Sequence, residues 1–345
     1  MTRSTFRSTR ICSMIAGLVA LAAPVAVNAQ SITLTYAFFA PATTFPAKQM
    51  EYWAQQINER TNGQVRVQTF PGGTLLGARE MYDGVSSGVT DIGLGAPSYD
   101  PGRFPLTSGA SLPVGFPNAT VASQTLWALT NEIQPKEFEN YKVIAMFTTE
   151  PGYIMSRQPA GNAAQINGMK LRAAGTGVPV LSALGAAPVG MPMPDVPQSV
   201  QTGVIDGTMT SREVLQDFRL AESLKYVTDY PTVVVSFAAV MDRKRWERLP
   251  DNVKAVIEEL GPEMATWTGH YHDEENVGAA MEWSKREHNV QVVSLSDEER
   301  AAWDAKLAPM ETQWVQEMTA AGHDAEGYLA RLRELRDEFA AKQAD

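Results

Sequence analysis

Apolar and polar positions along the chain fall into short runs that alternate and longer runs with helical spacing. Residues 31–38 (SITLTYAF) alternate with period two and predict a strand, while residues 45–61 carry Trp53 and Ile57 on one helix face that Gly63 closes. Val65-Arg66-Val67-Gln68-Thr69-Phe70 alternates again and enters a Pro-Gly-Gly loop, after which residues 78–85 predict a helix. Residues 91–95 predict a short buried strand, 120–132 a helix and 141–148 another strand. This βαβα order implies a mainly parallel sheet and the α/β class.

Glu150-Pro151-Gly152 interrupts the pattern and is expected to cross into a second lobe that residues 153–156 open. In Gly168-Met169-Lys170-Leu171-Arg172, Met169 and Leu171 face a core, with Lys170 and Arg172 on the other side of a strand. Gly175-Thr176-Gly177 and the Pro179 to Gly185 punctuation then predict a tight turn and a helix. After the extended Met191-Pro192-Met193-Pro194, Asp195 is expected to cap a short helix over 196–202, and 204–207 (VIDG) to form a strand closed by an Asp-Gly turn. Residues 233–241 (VVVSFAAVM) are apolar enough for a strand buried on both faces, returning the chain to the first lobe.

Residues 252–288 have helical spacing, with a kink or split expected at Gly261-Pro262. Unbroken, this stretch would span roughly 55 Å, long enough to brace both lobes. Ser296 and Glu299 form a capping-box pattern, and 326–342 predict a charged terminal helix with a solvated face.

Arg172 is the foremost candidate for binding chemistry. A guanidinium where a strand hands over to a helix meets backbone N–H groups and the positive end of the helix dipole, a combination that suits a carboxylate. The competing account is a surface or inter-domain salt bridge. Ligands in open α/β sheets sit beyond the carboxyl ends of strands, so Ala96, Ser98 and Tyr99 form a candidate second wall, followed by a type II turn at Asp100-Pro101-Gly102-Arg103. For Tyr99 and Arg103 the alternative is turn packing and a solvated charge.

Other chemistry is disfavoured. Gly84-Val85-Ser86-Ser87-Gly88 fits G-x-S-x-G, but the strand and helix around it come in the reverse of the order a nucleophile elbow needs. His270 and His272 lack the i,i+4 spacing of two ligands on one helical face and read as surface histidines. No phosphate or dinucleotide fingerprint occurs in the right setting, so no catalytic residue, cofactor or metal is expected. A secreted enzyme using carboxylates such as Glu80 or Asp206 is the alternative to a binding protein.

Arg3, Arg7 and Arg10, the apolar run 11–27 and Val27-Asn28-Ala29 predict a signal peptide over residues 1–29, hence export and no stable membrane insertion of the mature chain. Cys12, the only cysteine, lies inside it, which leaves no disulfide or Cys-ligated metal in the mature chain. Removing those three arginines from a formal charge of -10 leaves -13, which disfavours nucleic acid as a partner. About 316 residues remain, enough for two domains. They are expected to divide into lobe I, 30–150 and 236–275, and lobe II, 151–235 and 276–345.

The succession G-x-K-x-R, then L-G-A-x-P-V-x-M-P, then V-Q-T-G-V-I-D-G strongly resembles the periplasmic solute-binding proteins of TRAP transporters. Phe70-Pro71-Gly72-Gly73-Thr74-Leu75-Leu76-Gly77, Gly88-Val89-Thr90-Asp91-Ile92-Gly93 and Trp246-Glu247-Arg248-Leu249-Pro250 extend the resemblance over nearly the whole mature chain. It implies a two-lobe periplasmic binding protein fold, type II-like, with strand crossovers and a long helix bracing both lobes. It further implies a monomer that closes over a small organic acid and delivers it to a membrane permease. Arg172 takes the position of the family's carboxylate-pairing arginine, and Met193 and Pro194 take positions that pack on the ligand. Thr210, followed by Ser211, stands where many members have asparagine. Gly152 stands where sialic acid-binding members have a further arginine, which argues against that ligand. Phe38, Phe39, Tyr99 and Tyr153 would then suit a flatter or more apolar acid, unless they are lobe core.

Overall fold

The computed structural model describes residues 1–2 and 31–344, so the expected signal peptide lies outside the described residues. Two sheets carry the chain. The first contains β1 (Ile32–Phe38), β2 (Val65–Phe70), β3 (Ile92–Gly95) and β4 (Tyr141–Thr148). The second contains β5 (Tyr153–Ser156), β6 (Lys170–Ala173), β7 (Ala187–Gly190), β8 (Gly207–Thr210) and β9 (Tyr226–Asp229). The chain then returns to the first sheet as β10 (Ser236–Asp242) and to the second as β11 (Gln291–Ser294). The strand orders are β2-β1-β3-β10-β4 and β11-β9-β5-β8-β6-β7. β1 pairs parallel with both β2 and β3, whereas β10 runs antiparallel between β3 and β4. This is the two-lobe α/β fold that the residue pattern implied.

Alternation along β10 shows how each sheet is buried on both faces. Phe237, Ala239 and Met241 enter one core with Leu34, Trp53 and Met264, while Ala238 and Val240 enter another with Leu126 and Leu129. In the second lobe Ile154 packs with Leu171 and Trp303, and its neighbour Met155 packs on the other side with Val196 and Leu215. The apolar run that contains β10 is therefore continuous because both of its faces are covered.

The lobes are joined by two chain segments that run side by side. Thr149 N donates to Val235 O at 3.0 Å, and Gly152 N to Val233 O at 2.8 Å. Beside them, Glu150 accepts from Arg212 Nε at 2.9 Å, from Nη2 at 2.6 Å and from the Arg212 backbone N–H at 2.9 Å. A third connection is helical throughout: Asp251–His270, a π-helical turn Tyr271–Val277, and Gly278–His288. Its first part packs on β4 and its last part on the second lobe, where Met281 lies near Leu215.

The expected split at Gly261-Pro262 does not occur. Pro262 lies inside the helix, and a Cβ on Gly261 would come within 2.0 Å of Trp127. That glycine serves close approach to the helix Ala119–Ile133, and the irregularity falls at the π turn instead. Three further expectations are corrected. The 204–207 strand begins only at Gly207, whose missing Cβ lets β5 pass, since a Cβ would meet Met155 O at 2.2 Å. Asp195 makes no side-chain cap, because it is itself helical, in a 3-10 turn that runs straight into Val196–Gln201. The terminal helix Ala325–Ala344 belongs with the first lobe rather than the second, because Tyr328, Leu329, Leu332 and Leu335 bury against Leu126 and Leu129. Ser296 does cap the helix Asp297–Leu307, accepting from Glu299 N.

Candidate functional site

Arg172, near the end of β6, is only 1 % exposed. Its Nε donates to Met191 O at 2.8 Å and its Nη2 to the Tyr99 hydroxyl at 3.2 Å. Among the described residues no carboxylate pairs with it, which rules out the inter-domain salt bridge there. A buried cation without a counter-ion is costly, so the arrangement is complementary to an anion. The anticipated help from the helix Gly177–Leu184 is not how the site is built. Residues 173–176, which lead into that helix, line an outer cleft of about 580 Å³, and the guanidinium faces a separate inner cavity.

The inner cavity measures about 40 Å³. Its walls are aromatic: Phe38, Phe39, Phe45, Phe218 and Phe237, with Tyr99. Phe39 lies 5.5 Å from Tyr99 and stacks at 21° on Phe237. The Tyr99 oxygen accepts a second bond, from Met193 N at 3.1 Å, so a phenol of the first lobe ties two segments of the second. Both its acceptor positions are thereby used, and its own O–H remains a donor.

Six of the predicted site residues meet here: Arg172, Tyr99, Met193, Thr210, Phe38 and Phe39. The others do not. Ser98 lines the outer cleft, and Ala96 packs into the first-lobe core. Pro194 is exposed because the turn Met193–Asp195 directs Met193 inward and its successor outward. Gly152 lies in the crossing, where its carbonyl accepts from Thr232. Tyr153 lies beneath the Arg212 guanidinium at 4.2 Å, and Ser211 is buried but is not a wall residue. Arg103 serves the first lobe, donating to Asp83 at 2.7 Å and to the Tyr141 hydroxyl. Of the two carboxylates considered for an enzyme, Glu80 is exposed and Asp206 accepts from Lys170 N at 2.9 Å; neither lines the cavity.

Sequence reasoning missed Phe45, Phe218, Phe237, Thr149 and Glu213. Phe237 lies in a run recognised as a buried strand, but nothing local shows which ring faces a ligand. Glu213 is buried at 4 % exposure, and Asp217 follows four residues later, so two acids in a short apolar segment were the available signal. Burial, then Asp217 and Glu150, hold the Glu213 carboxyl well above the usual carboxylate range. Burial pushes Asp217 up to about 7.

His272 corrects the surface-histidine reading. It sits in the π turn, fully buried, with its ring centroid 4.0 Å from that of Phe45 and Nε2 3.8 Å from Glu213 Oε2. Burial lowers it to about 4. Among the described residues no cluster of three or more metal-ligating side chains occurs, and no helix is long and apolar enough to cross a membrane.

Two lobes, paired crossings and, between them, a buried guanidinium that no carboxylate pairs among the described residues define a receptor for an anionic solute. Residues 36–317 match the model for bacterial extracellular solute-binding protein family 7, DctP, and the chain belongs to that family. A TRAP periplasmic solute-binding protein from Desulfovibrio salexigens is 42% identical, with a TM-score of 0.80 over 90% of this chain and 97% of that one. It was crystallised in an open form with the C-terminus of a symmetry mate in its ligand-binding site. A TRAP solute-binding protein from Rhodoferax ferrireducens, in complex with copurified benzoate, is 25% identical, with a TM-score of 0.85 over 91% of this chain and 100% of that one. The C4-dicarboxylate-binding periplasmic protein DctP of Rhodobacter capsulatus is 24% identical over 90% of this chain and 95% of its own length.

Proposed function

We propose that this protein is the periplasmic receptor of a TRAP-type transporter, that it captures a small aromatic monocarboxylate, and that it hands this acid to the membrane permease. The observation that carries the reading is the buried Arg172 guanidinium, unpaired among the described residues and facing a cavity with aromatic walls. The ligand carboxylate takes free N–H donors of Arg172 and the O–H of Tyr99, and the rings enclose its flat body. Benzoate in one relative and a peptide C-terminus in another support a carboxylate at this place.

At about 40 Å³ the cavity is smaller than the roughly 150 Å³ of an apolar cavity that holds benzene. Loading therefore requires the lobes to part at the crossings 149–152 and 232–235. Ligand binding then favours closure by contacts made from both lobes. The test is calorimetric titration with benzoate and with C4-dicarboxylates. Benzoate should bind, and Arg172→Ala should weaken it by on the order of 2 to 5 kcal/mol. Unchanged affinity in that variant would remove Arg172 from the site, and binding of C4-dicarboxylates alone would overturn the aromatic class.

A further inference from the structure

Arg172 satisfies one end of an acid, and the cavity contains a second polar group that a plain aromatic acid leaves unused. Glu213 forms part of the wall, and its Oε2 is buried with no hydrogen-bond partner among the described residues. His272 Nε2 behind it is equally buried and unpartnered, and at 3.8 Å the two atoms are too far apart to satisfy each other. No ion pair joins Glu213 to Arg172 among the described residues, so both groups present themselves to the same space without neutralising one another.

The surroundings decide which form of Glu213 faces that space. Asp217 and Glu150 are the acids whose charges raise it, and the charge of Glu150 is taken up by Arg212. On the helical side, Asn276 Oδ1 lies 3.1 Å from His272 Nδ1, which puts the imidazole proton on Nδ1 and leaves Nε2 a bare acceptor. His272 stays neutral, so it offers Glu213 no counter-ion. Asp273, which follows His272 in the π turn, is occupied by Ala119 N at 2.9 Å and Thr120 N at 2.8 Å. Burial among acids, with no ion pair to a cation among the described residues, favours the protonated carboxyl, which is a donor. A ligand oxygen able to accept is its complement, whereas an ammonium, which only donates, is not.

We propose that Glu213 is the specificity-determining residue of this pocket and reads a hydroxyl on the aromatic acid, so that the preferred ligand is a hydroxylated benzoate-like acid rather than benzoate itself. This rests on the aromatic-acid reading above.

The test is titration of the full mature protein with benzoate, its three monohydroxy isomers and the three (aminomethyl)benzoates. One hydroxy isomer should bind about tenfold or more tighter than benzoate, the scale of one buried hydrogen bond. In Glu213→Leu the ratio of the two affinities should collapse toward one, while Glu213→Gln, which keeps a donor of similar shape, should retain most of it. Thermal melting of each variant reports folding. Should the leucine variant fail to fold, the isomer ranking of the unaltered protein still decides, because equal affinities overturn the proposal. A preference that survives Glu213→Leu, or tighter binding of an ammonium-bearing isomer, also overturns it. Benzoate binding without isomer preference sinks this inference alone. Failure of every aromatic acid to bind sinks the aromatic-acid reading, and this inference with it.

Discussion

Single buried titratable groups behind the cavity give the molecule a characteristic response to pH. Asp217 rises from 3.8 to about 7 through burial, opposed by Asn276 and Lys48, with Glu213 and Tyr271 also nearby. Between those values the unfolded chain releases a proton that the folded chain keeps, so the stability this group contributes below 3.8 is lost as pH rises to about 7. His272 works the other way: its folded value of about 4 lies below 6.5, so its contribution is present above 6.5 and lost as pH falls to about 4. Asp217→Asn should therefore melt higher than the unaltered protein at pH 8 and show no gain at pH 4, as read from thermal melts across that range. An equal shift at both ends would show that burial of the charge is not the cause. At this scale the sequence disclosed Arg172, because strand alternation and the following turn locate it without tertiary information. It hid His272, because i,i+2 spacing puts the two histidines on opposite faces, and only the packing of other elements makes the His272 face the buried one while His270 stays exposed.

Elements were legible where their own residues determine them and illegible where a neighbour does. The strands 65–70 and 141–148 and the Ser296 cap follow from local pattern, and the structure reproduces them. Gly261 was misread as a helix breaker because its purpose is to admit Trp127, a residue of another helix. Two substitutions separate these roles. Gly261→Ala gains helix propensity but forces a methyl group to 2.0 Å from an indole ring, and overpacking of about 1 to 3 kcal/mol should win. Gly278→Ala has no atom within 4 Å of the new Cβ and should stabilise by about 0.5 to 1 kcal/mol. Denaturant unfolding of the pair should give opposite signs. Matching signs would mean that the close helix approach at Trp127 relaxes without cost.

Over the whole molecule, the division into two sheets was readable from the interruption at 150–152 and the return at 233–241. The destination of the last helix was not, since its charged residues suit a solvated face and its Tyr328, Leu329, Leu332 and Leu335 stripe fits either lobe. The structure puts that stripe on the first lobe, where each buried leucine contributes about 1.5 to 3 kcal/mol. Its exposed ion pairs, such as Arg331 with Glu132 at 3.0 Å, add little. Deleting residues 325–344 should lower the melting temperature sharply or prevent folding altogether. A chain that melts unchanged without them would show that the helix is an accessory.

The position of this helix also bears on how the protein is made. The first lobe takes its opening strand from residue 32 and the closing side chains of one of its cores from residues 328–335, with the second lobe in between. Contacts between segments so far apart carry a large loop-closure cost and are slow to form. A growing polypeptide thus cannot finish its first lobe until residues 328–335 have been synthesised, even though the strand at residue 32 is made long before. Up to that point the first lobe remains incompletely packed.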